Sequence, residues 1–196
     1  MNKKKIIIDN QSQLQELFKD NSLRLKKKSK LVFIGKLNIG SNVSFEGNNL
    51  FGINNKIDSN CNIVNLNLGS NNYIKMNSYL INSKINNKNI IGPYAYIRDN
   101  TSIKNSCIMG AYVEVTRSEI SNNCLASHRA FIGDAKIGRE TIIGAGTVFC
   151  NFNFLTMKKE KTIVGSKCKI GSNSTIIAPL KIRPNTLIPA FTKFKG

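Results

Sequence analysis

Large apolar residues return at every sixth position along most of this chain. Phe33, Ile39, Phe45, Phe51, Ile57 and Ile63 form the first run. The register then slips, and the beat resumes at Leu68, Ile74 and Leu80, and again at Ile85, Ile91, Ile97 and Ile103. Ile120, Ala126 and Ile132 follow, then Ile137, Ile143 and Phe149, and last Val164, Ile170, Ile176, Ile182 and Ile188. Glycine often follows the aliphatic, as in "IGSN", "IGPY", "IGRE" and "IGAG". Four places after the aliphatic stands a small or short polar residue, among them Val43, Cys61, Ala95, Thr101, Cys107, Cys124, Thr141, Thr147, Cys168 and Ser174. Neither a helical period of about 3.6 residues nor a two-residue strand alternation gives a beat of six. A coil of short strands does. One large and one small side chain point inward on each flat face, the chain turns a corner every six residues, and three hexads close a triangular coil. Glycine and asparagine suit the corners because they tolerate positive φ.

The pattern divides the chain into an N-terminal helical and basic segment, residues 1–30, and a stacked coil, residues 31–196. In the first, "SQLQELF" predicts a short helix, with Ser12 and Gln15 at capping-box spacing and Leu14, Leu17 and Phe18 on one face. "RLKKKSK" reads as a solvated basic linker. Within the coil the beat breaks once on a large scale, at "CNFNFLTMKKEKTI". Insertions in solenoids project from one face, often the binding face. A loop is therefore expected at about residues 150–162, with cationic charge from Lys158, Lys159 and Lys161.

Charge enters next. The chain has 196 residues and a formal net charge of +18. Such an excess points to nucleic acid, an anionic membrane or a phosphorylated ligand. Heavy use of Lys, Asn and Ile, which A+T-rich coding produces, accounts for most of it. No nucleic-acid-binding motif accompanies the charge, and aromatic residues do not interleave with the basic clusters, so no nucleic-acid partner is expected. No apolar run approaches the length of a membrane span, and the start "MNKKKIIIDN" is too short in apolar residues for a signal peptide. A cytoplasmic protein is expected. The five cysteines include no C-x-x-C pair. Cys61, Cys107, Cys124 and Cys168 fall at the small slot of the repeat and are expected to be buried thiols. Cys150 does not.

The single histidine, His128, lies two places after Ala126, at an outward slot of its hexad. Imidazole titrates near neutrality and can take a proton from an attacking amine or hydroxyl, so a general base is the functional reading beside that of a plain surface side chain. Such a base needs a partner for its second nitrogen. Glu114 in "GAYVEV", about one coil earlier, is placed to stack near it.

The hexad pattern resembles the hexapeptide-repeat acyltransferases, which implies a left-handed parallel β-helix, a thioester donor and a homotrimer. At "IGPYAYIRDN", "GAYVEV", "ASHRAFIGDAKIG", "IGAGTVFCNFN" and "KTIVGSKCKIGSNSTIIAPLKI" the match narrows. These stretches look like the acetyltransferase domain of the bifunctional glucosamine-1-phosphate acetyltransferase / N-acetylglucosamine-1-phosphate uridylyltransferase family, without its uridylyltransferase domain. The resemblance implies that His128 is the catalytic base, that Glu114 orients it, and that Arg98 binds the sugar phosphate. It assigns Ala145, Asn151, Phe152 (through its backbone), Ser172 and Ala190 to acetyl-CoA. Ser172 would help to hold the developing oxyanion. Cys150 would line the cleft without acting as a nucleophile. No metal is expected. A catalytic zinc of the kind found in carbonic anhydrases on this architecture needs three histidines, and the chain has one.

The chain departs from that family at three sugar-phosphate positions, where lysine, tyrosine and asparagine are replaced by Thr116, Phe131 and Ile142. Arg117 and Arg129 lie beside two of these and are the expected substitutes, so the acceptor side is assigned to Arg98, Arg117, Phe131 and Lys159. The ending "FTKFKG" is expected to fall short of an arm that carries a basic contact for CoA. The implied activity is acetyl-CoA-dependent N-acetylation of glucosamine 1-phosphate, feeding UDP-N-acetylglucosamine for peptidoglycan and lipopolysaccharide. Two alternatives stay open: the same chemistry on another amino sugar, for example a nucleotide-linked one, and a non-enzymatic β-helix scaffold.

Overall fold

The computed structural model describes residues 4–195. Short strands wind into a parallel β-helix whose three faces are sheets of ten, nine and ten strands. The first face runs from Lys5–Ile8 through Lys30–Ile34 up to Leu180–Ile182, the second from Leu37–Ile39 to Leu187–Ile188, and the third from Arg24–Leu25 to Lys193–Phe194. Each strand pairs in register with the strands one coil below and above. On the first face Phe51, Leu68, Ile85, Ile103, Ile120 and Ile137 stand in one ladder. On the third, Phe45, Ile63, Leu80, Ile97, Val115 and Ile132 do the same. All of these side chains are buried, and together with the second-face ladder they fill the prism. Equivalent residues in successive coils are 17 or 18 apart, except across the projecting loop, where Ile137 pairs with Val164. The register slips in the sequence are the coils of 17, in which the corner between the third and first faces is one residue shorter.

At one of the three corners the small slot of the repeat proves to be a donor slot, whereas Val43, Ala95, Val113 and Ala130 fill it between the second and third faces. At the corner between the first and second faces, Asn55 Nδ2 donates to the Gly69 carbonyl at 2.7 Å, Asn72 Nδ2 to Asn86 at 2.8 Å and Asn89 Nδ2 to Lys104 at 2.9 Å. Cys107 and Cys124 continue the column with thiol contacts to the carbonyls of Ser121 and Gly138 at 3.0 and 3.1 Å, and Thr141 donates to Gly165 at 3.1 Å. A buried carbonyl without a partner is costly, so a corner that turns inside the prism requires such a residue. Burial pushes the Cys61 thiol, in an equivalent slot, up to about 11, which leaves it unreactive. On the outside of most corners one residue adopts positive φ. Asn42, Asn60 and Asn77 do so in the first coils, and Tyr94, Tyr112 and Arg129 higher on the same edge.

The N-terminal segment differs from the sequence expectation in three ways. Lys5–Ile8, expected as part of a basic start, is a strand that pairs antiparallel with Lys30–Ile34. The helix spans Gln11–Phe18, and its N-cap is Asn10, not Ser12: Asn10 Oδ1 accepts from the Gln13 amide at 2.9 Å. Leu14 is buried and Phe18 packs on Phe33, but Leu17 is exposed. Lastly, "RLKKKSK" is no free linker, because Arg24–Leu25 already pairs with Ser44–Glu46. Gln11 closes the open side of that first strand. Its amide donates to the Leu23 carbonyl and its oxygen accepts from the Leu25 N–H, both at 2.7 Å.

Asn72 tests the donor column. Its Oδ1 accepts from the Asn89 amide at 2.9 Å while its Nδ2 serves Asn86. Asn72→Ala strands both groups inside the prism, and urea unfolding is expected to show a loss of about 2–4 kcal/mol, one to two buried unsatisfied groups.

Candidate active site

His128 ends the second-face strand Leu125–His128, stacked on Ala111 and exposed at the corner that leads to the third face. A column continues upward from it. The carbonyls of Ala111, His128, Ala145 and Ser172 accept in turn from the amides of Arg129 (2.8 Å), Gly146 (3.4 Å), Asn173 (2.8 Å) and Phe191 (2.9 Å). Ala111, His128, Ala145, Ser172 and Ala190 thus stand one per coil along a single edge, with about 4.8 Å between neighbours. Sequence positions separated by tens of residues form one line because the coil repeats. A side chain on Gly144 or Gly171 would collide with backbone one coil up: an added Cβ would meet the Ser172 nitrogen at 2.4 Å or the Ala190 nitrogen at 2.2 Å. The glycines let this edge pack closely.

Arg98, Glu114, Arg117 and Asn151 lie on the third face and its far edge, and a network joins them. Arg98 donates to Glu114 Oε1 through Nε at 3.0 Å and Nη2 at 2.7 Å, and its Nη1 meets Asp99. Its guanidinium also lies over the Tyr96 ring, 5.1 Å from the centroid. Asp99 Oδ2 accepts in addition from Thr116 Oγ1 at 3.1 Å and Arg117 Nη1 at 3.4 Å. Arg117 grips both oxygens of Asp134 at 2.9 Å, and the Asn151 amide closes the chain on Asp134. Phe131 and Asn151 meet over Gly133, where an added Cβ would lie 2.8 Å from Phe131 Cζ and 2.6 Å from Asn151 Nδ2.

Glu114 lies one coil below Phe131 and holds Arg98. Glu114 and His128 stand on adjacent faces with a corner between them, His128 over Ala111 and Glu114 under Phe131. Among the described residues no hydrogen bond joins them. Arg129 is exposed beside His128 and makes no ion pair among the described residues, whereas Arg117 is engaged by Asp134. Thr116, at a family lysine position, is buried. The projecting loop is a hairpin in which Phe152–Asn153 pairs antiparallel with Lys158–Lys159. Phe152 and Lys159 face each other at its base, and the tip exposes Phe154, Leu155 and Met157. Cys150 is half-buried at the end of its strand.

Asp99 and Asp134 are not among the residues expected from the sequence. Their signal is spacing. Asp99, Arg117 and Asp134 sit one coil apart, so an alternating-charge column emerges once the coil length of 17 or 18 is known. The His128 column and the Asp99, Arg117 and Asp134 end of this network occupy opposite edges of the third face. His128 precedes the strand Phe131–Gly133 and Asp134 follows it, so extended chain of up to roughly 20 Å separates them. One copy of the chain does not bring them together.

Burial pushes the Asp134 carboxyl up, but hydrogen bonds from Arg117 and Asn151 and the nearby positive charge outweigh it and hold its pKa below the ordinary 3.8. A carboxylate depressed in the folded state stabilises above its unfolded pKa and loses that contribution as pH falls through the folded value. Asp134→Asn is therefore expected to cost about 1.5–3 kcal/mol near neutrality. In urea unfolding at a series of pH values, the gap to wild type should shrink below about pH 4.

No protein-family model matches the chain. It is similar to the bifunctional protein GlmU of Ruthia magnifica subsp. Calyptogena magnifica, with 38% identity over 152 residues, 78% of this chain and 33% of that protein. GlmU of Wolbachia pipientis wMel is 44% identical over 100 residues, 51% of this chain and 23% of that protein. The chain therefore spans a third or less of the length of these relatives. Among solved structures, a hexapeptide transferase family protein from Anaplasma phagocytophilum is 12% identical with a TM-score of 0.33, covering 89% of this chain and 82% of that one. A mutant of GDP-perosamine N-acetyl transferase from Caulobacter crescentus, in complex with CoA and GDP-perosamine, is 18% identical with a TM-score of 0.29, covering 72% and 56%. The repeat, the three-faced coil and the GlmU identity agree: the chain is a hexapeptide-repeat parallel β-helix and is similar to part of the bifunctional GlmU proteins.

Proposed function

We propose that this chain transfers an acetyl group from acetyl-CoA to the amine of an amino sugar, with glucosamine 1-phosphate as the acceptor that the family resemblance suggests. The observation that carries the reading is the column. The one exposed imidazole stands directly below Ala145, Ser172 and Ala190, the positions assigned to the donor. In this mechanism the amine nitrogen attacks the thioester carbonyl carbon. A ring nitrogen of His128 takes the N–H proton as the C–N bond forms. The Ser172 hydroxyl donates to the oxyanion of the tetrahedral species. The C–S bond then breaks, and the thiolate leaves with the proton that His128 has carried. None of these steps requires a metal. Asn151 and the backbone of Phe152 hold the donor near its thioester, and Lys159 faces the substrate from the base of the hairpin.

The acceptor phosphate falls to Arg98, with Arg117 beside it. Phe131 and Ile142 bring no hydroxyl or amide, so affinity for glucosamine 1-phosphate should be weak. That Arg98 is held by two carboxylates favours the second reading, another amino sugar such as a nucleotide-linked one. Five unpaired cysteines fit a reducing, cytoplasmic setting. Among the described residues no helix is long and apolar enough to cross a membrane.

The separation of base and network across one face supports a homotrimer in which neighbouring copies complete each cleft. An outward stripe on the second face offers the contact: Ile90, Ile108, Leu125 and Ile142 stand in register, leading to His128. Static light scattering should give three times the chain mass, and a monomer that still turns over substrate would refute this assembly. Thiol release from acetyl-CoA, measured over a panel of amino sugars and their phosphates, tests the activity. If no acceptor in the panel elicits release, the scaffold alternative is favoured. His128→Ala should lower turnover by about a hundredfold or more while melting like wild type.

A further inference from the structure

The network at the far edge of the third face contains a small anion cradle that the chain has filled itself. Arg98 Nη1, the Thr116 hydroxyl at 3.1 Å and Arg117 Nη1 at 3.4 Å all converge on one oxygen, Asp99 Oδ2. Three donors from two neighbouring coils around a single oxygen is the geometry of a site for an oxyanion. The donors are themselves fixed. Arg98 is clamped from its other side by Glu114, Arg117 by both oxygens of Asp134, and Thr116 is buried. Asp99 is not. Its side chain keeps 40% of its surface exposed, and it sits on an outer corner with φ of 53°. The hydrogen-bonded cluster holds two guanidiniums, Arg98 and Arg117, and three carboxylates, Asp99, Glu114 and Asp134, so negative charge is in excess. A phosphate brought to Arg98 would meet a cradle already occupied by a carboxylate.

We propose that Asp99 is a specificity-determining residue: its carboxylate occupies the place of an acceptor's anionic group, and so biases the site toward amino sugars that are uncharged next to Arg98. This rests on the reading of Arg98 as an acceptor ligand. The sugar class it selects presents hydroxyls to the cradle's edge. Any phosphate it carries must lie away from Arg98.

Asp99→Asn removes the charge, keeps the shape and tolerates positive φ, and Asp99→Gly removes the side chain with the same backbone tolerance. Inorganic phosphate and glucosamine 1-phosphate binding would be followed by calorimetry on the full chain, beside kcat/KM for glucosamine and for glucosamine 1-phosphate. Wild type should bind inorganic phosphate more weakly than about 1 mM. Both variants should bind it roughly tenfold tighter or more, and raise the glucosamine 1-phosphate to glucosamine ratio of kcat/KM by a similar factor, because a like charge has gone. The KM for acetyl-CoA should not move. Phosphate binding in the variants within twofold of wild type overturns the role of Asp99, as does tight phosphate binding by wild type itself. If no amino sugar is acetylated by any of the three proteins, the acetyltransferase reading fails, while the phosphate measurement still decides whether Asp99 fills the cradle.

Discussion

A coil that turns three corners every 17 or 18 residues has to satisfy backbone groups where the ladders cannot reach them. Strand ladders serve the flat faces. At the corner between the first and second faces a carbonyl turns inward, and a side chain from the coil below meets it in each case: Asn55, Asn72 and Asn89 low in the prism, Cys107, Cys124 and Thr141 higher up. Everything else follows from that requirement. It fixes which slot is small and polar, which fixes where the aliphatics stack, which fixes the vertical register. Only with the register fixed do His128, Ala145, Ser172 and Ala190 form a column.

How much of this can be read from the chain depends on what repeats. The aliphatic ladders, the break at residues 150–162 and the outward slot of His128 are legible, because each is a statement about period. The inward turn of Asn55, Asn72 and Asn89 is not, since asparagine in a hexad suggests a corner residue suited to positive φ, and these three serve the interior instead. The N-cap is misplaced by spacing alone: Ser12 and Gln15 stand the right distance apart, yet Asn10 precedes them with the better oxygen. Distance along the coil puts Glu114 about one coil from His128, but the corner between their two faces is invisible in one dimension.

The charge network illustrates a different trade. Arg98, Asp99, Glu114, Arg117 and Asp134 are half-buried or buried, and removing such groups from water offsets much of the attraction between them. Their geometric yield is larger than their energetic one. Arg117 is gripped by both oxygens of Asp134, and Asp134 also takes Asn151, so residues from three coils hold one arrangement. A rigid edge of this kind presents one fixed pattern of donors to solvent.

The antiparallel strand Lys5–Ile8 caps one end of the coil stack. A stack of identical coils is a one-dimensional crystal, and an exposed terminal coil is a template on which another copy could nucleate and grow. Parallel growth requires that the last strand offer its hydrogen-bonding edge in the same direction as all the others. Lys5–Ile8 runs the other way across Lys30–Ile34, and Gln11 occupies the bonding edge of Arg24–Leu25 with a carboxamide. At that end the lattice is terminated by a reversal of polarity on one face and by a single side chain on another. The number of coils below Lys30 is therefore set by chemistry at the end of the stack, not by the coils themselves, which would accept further layers without limit.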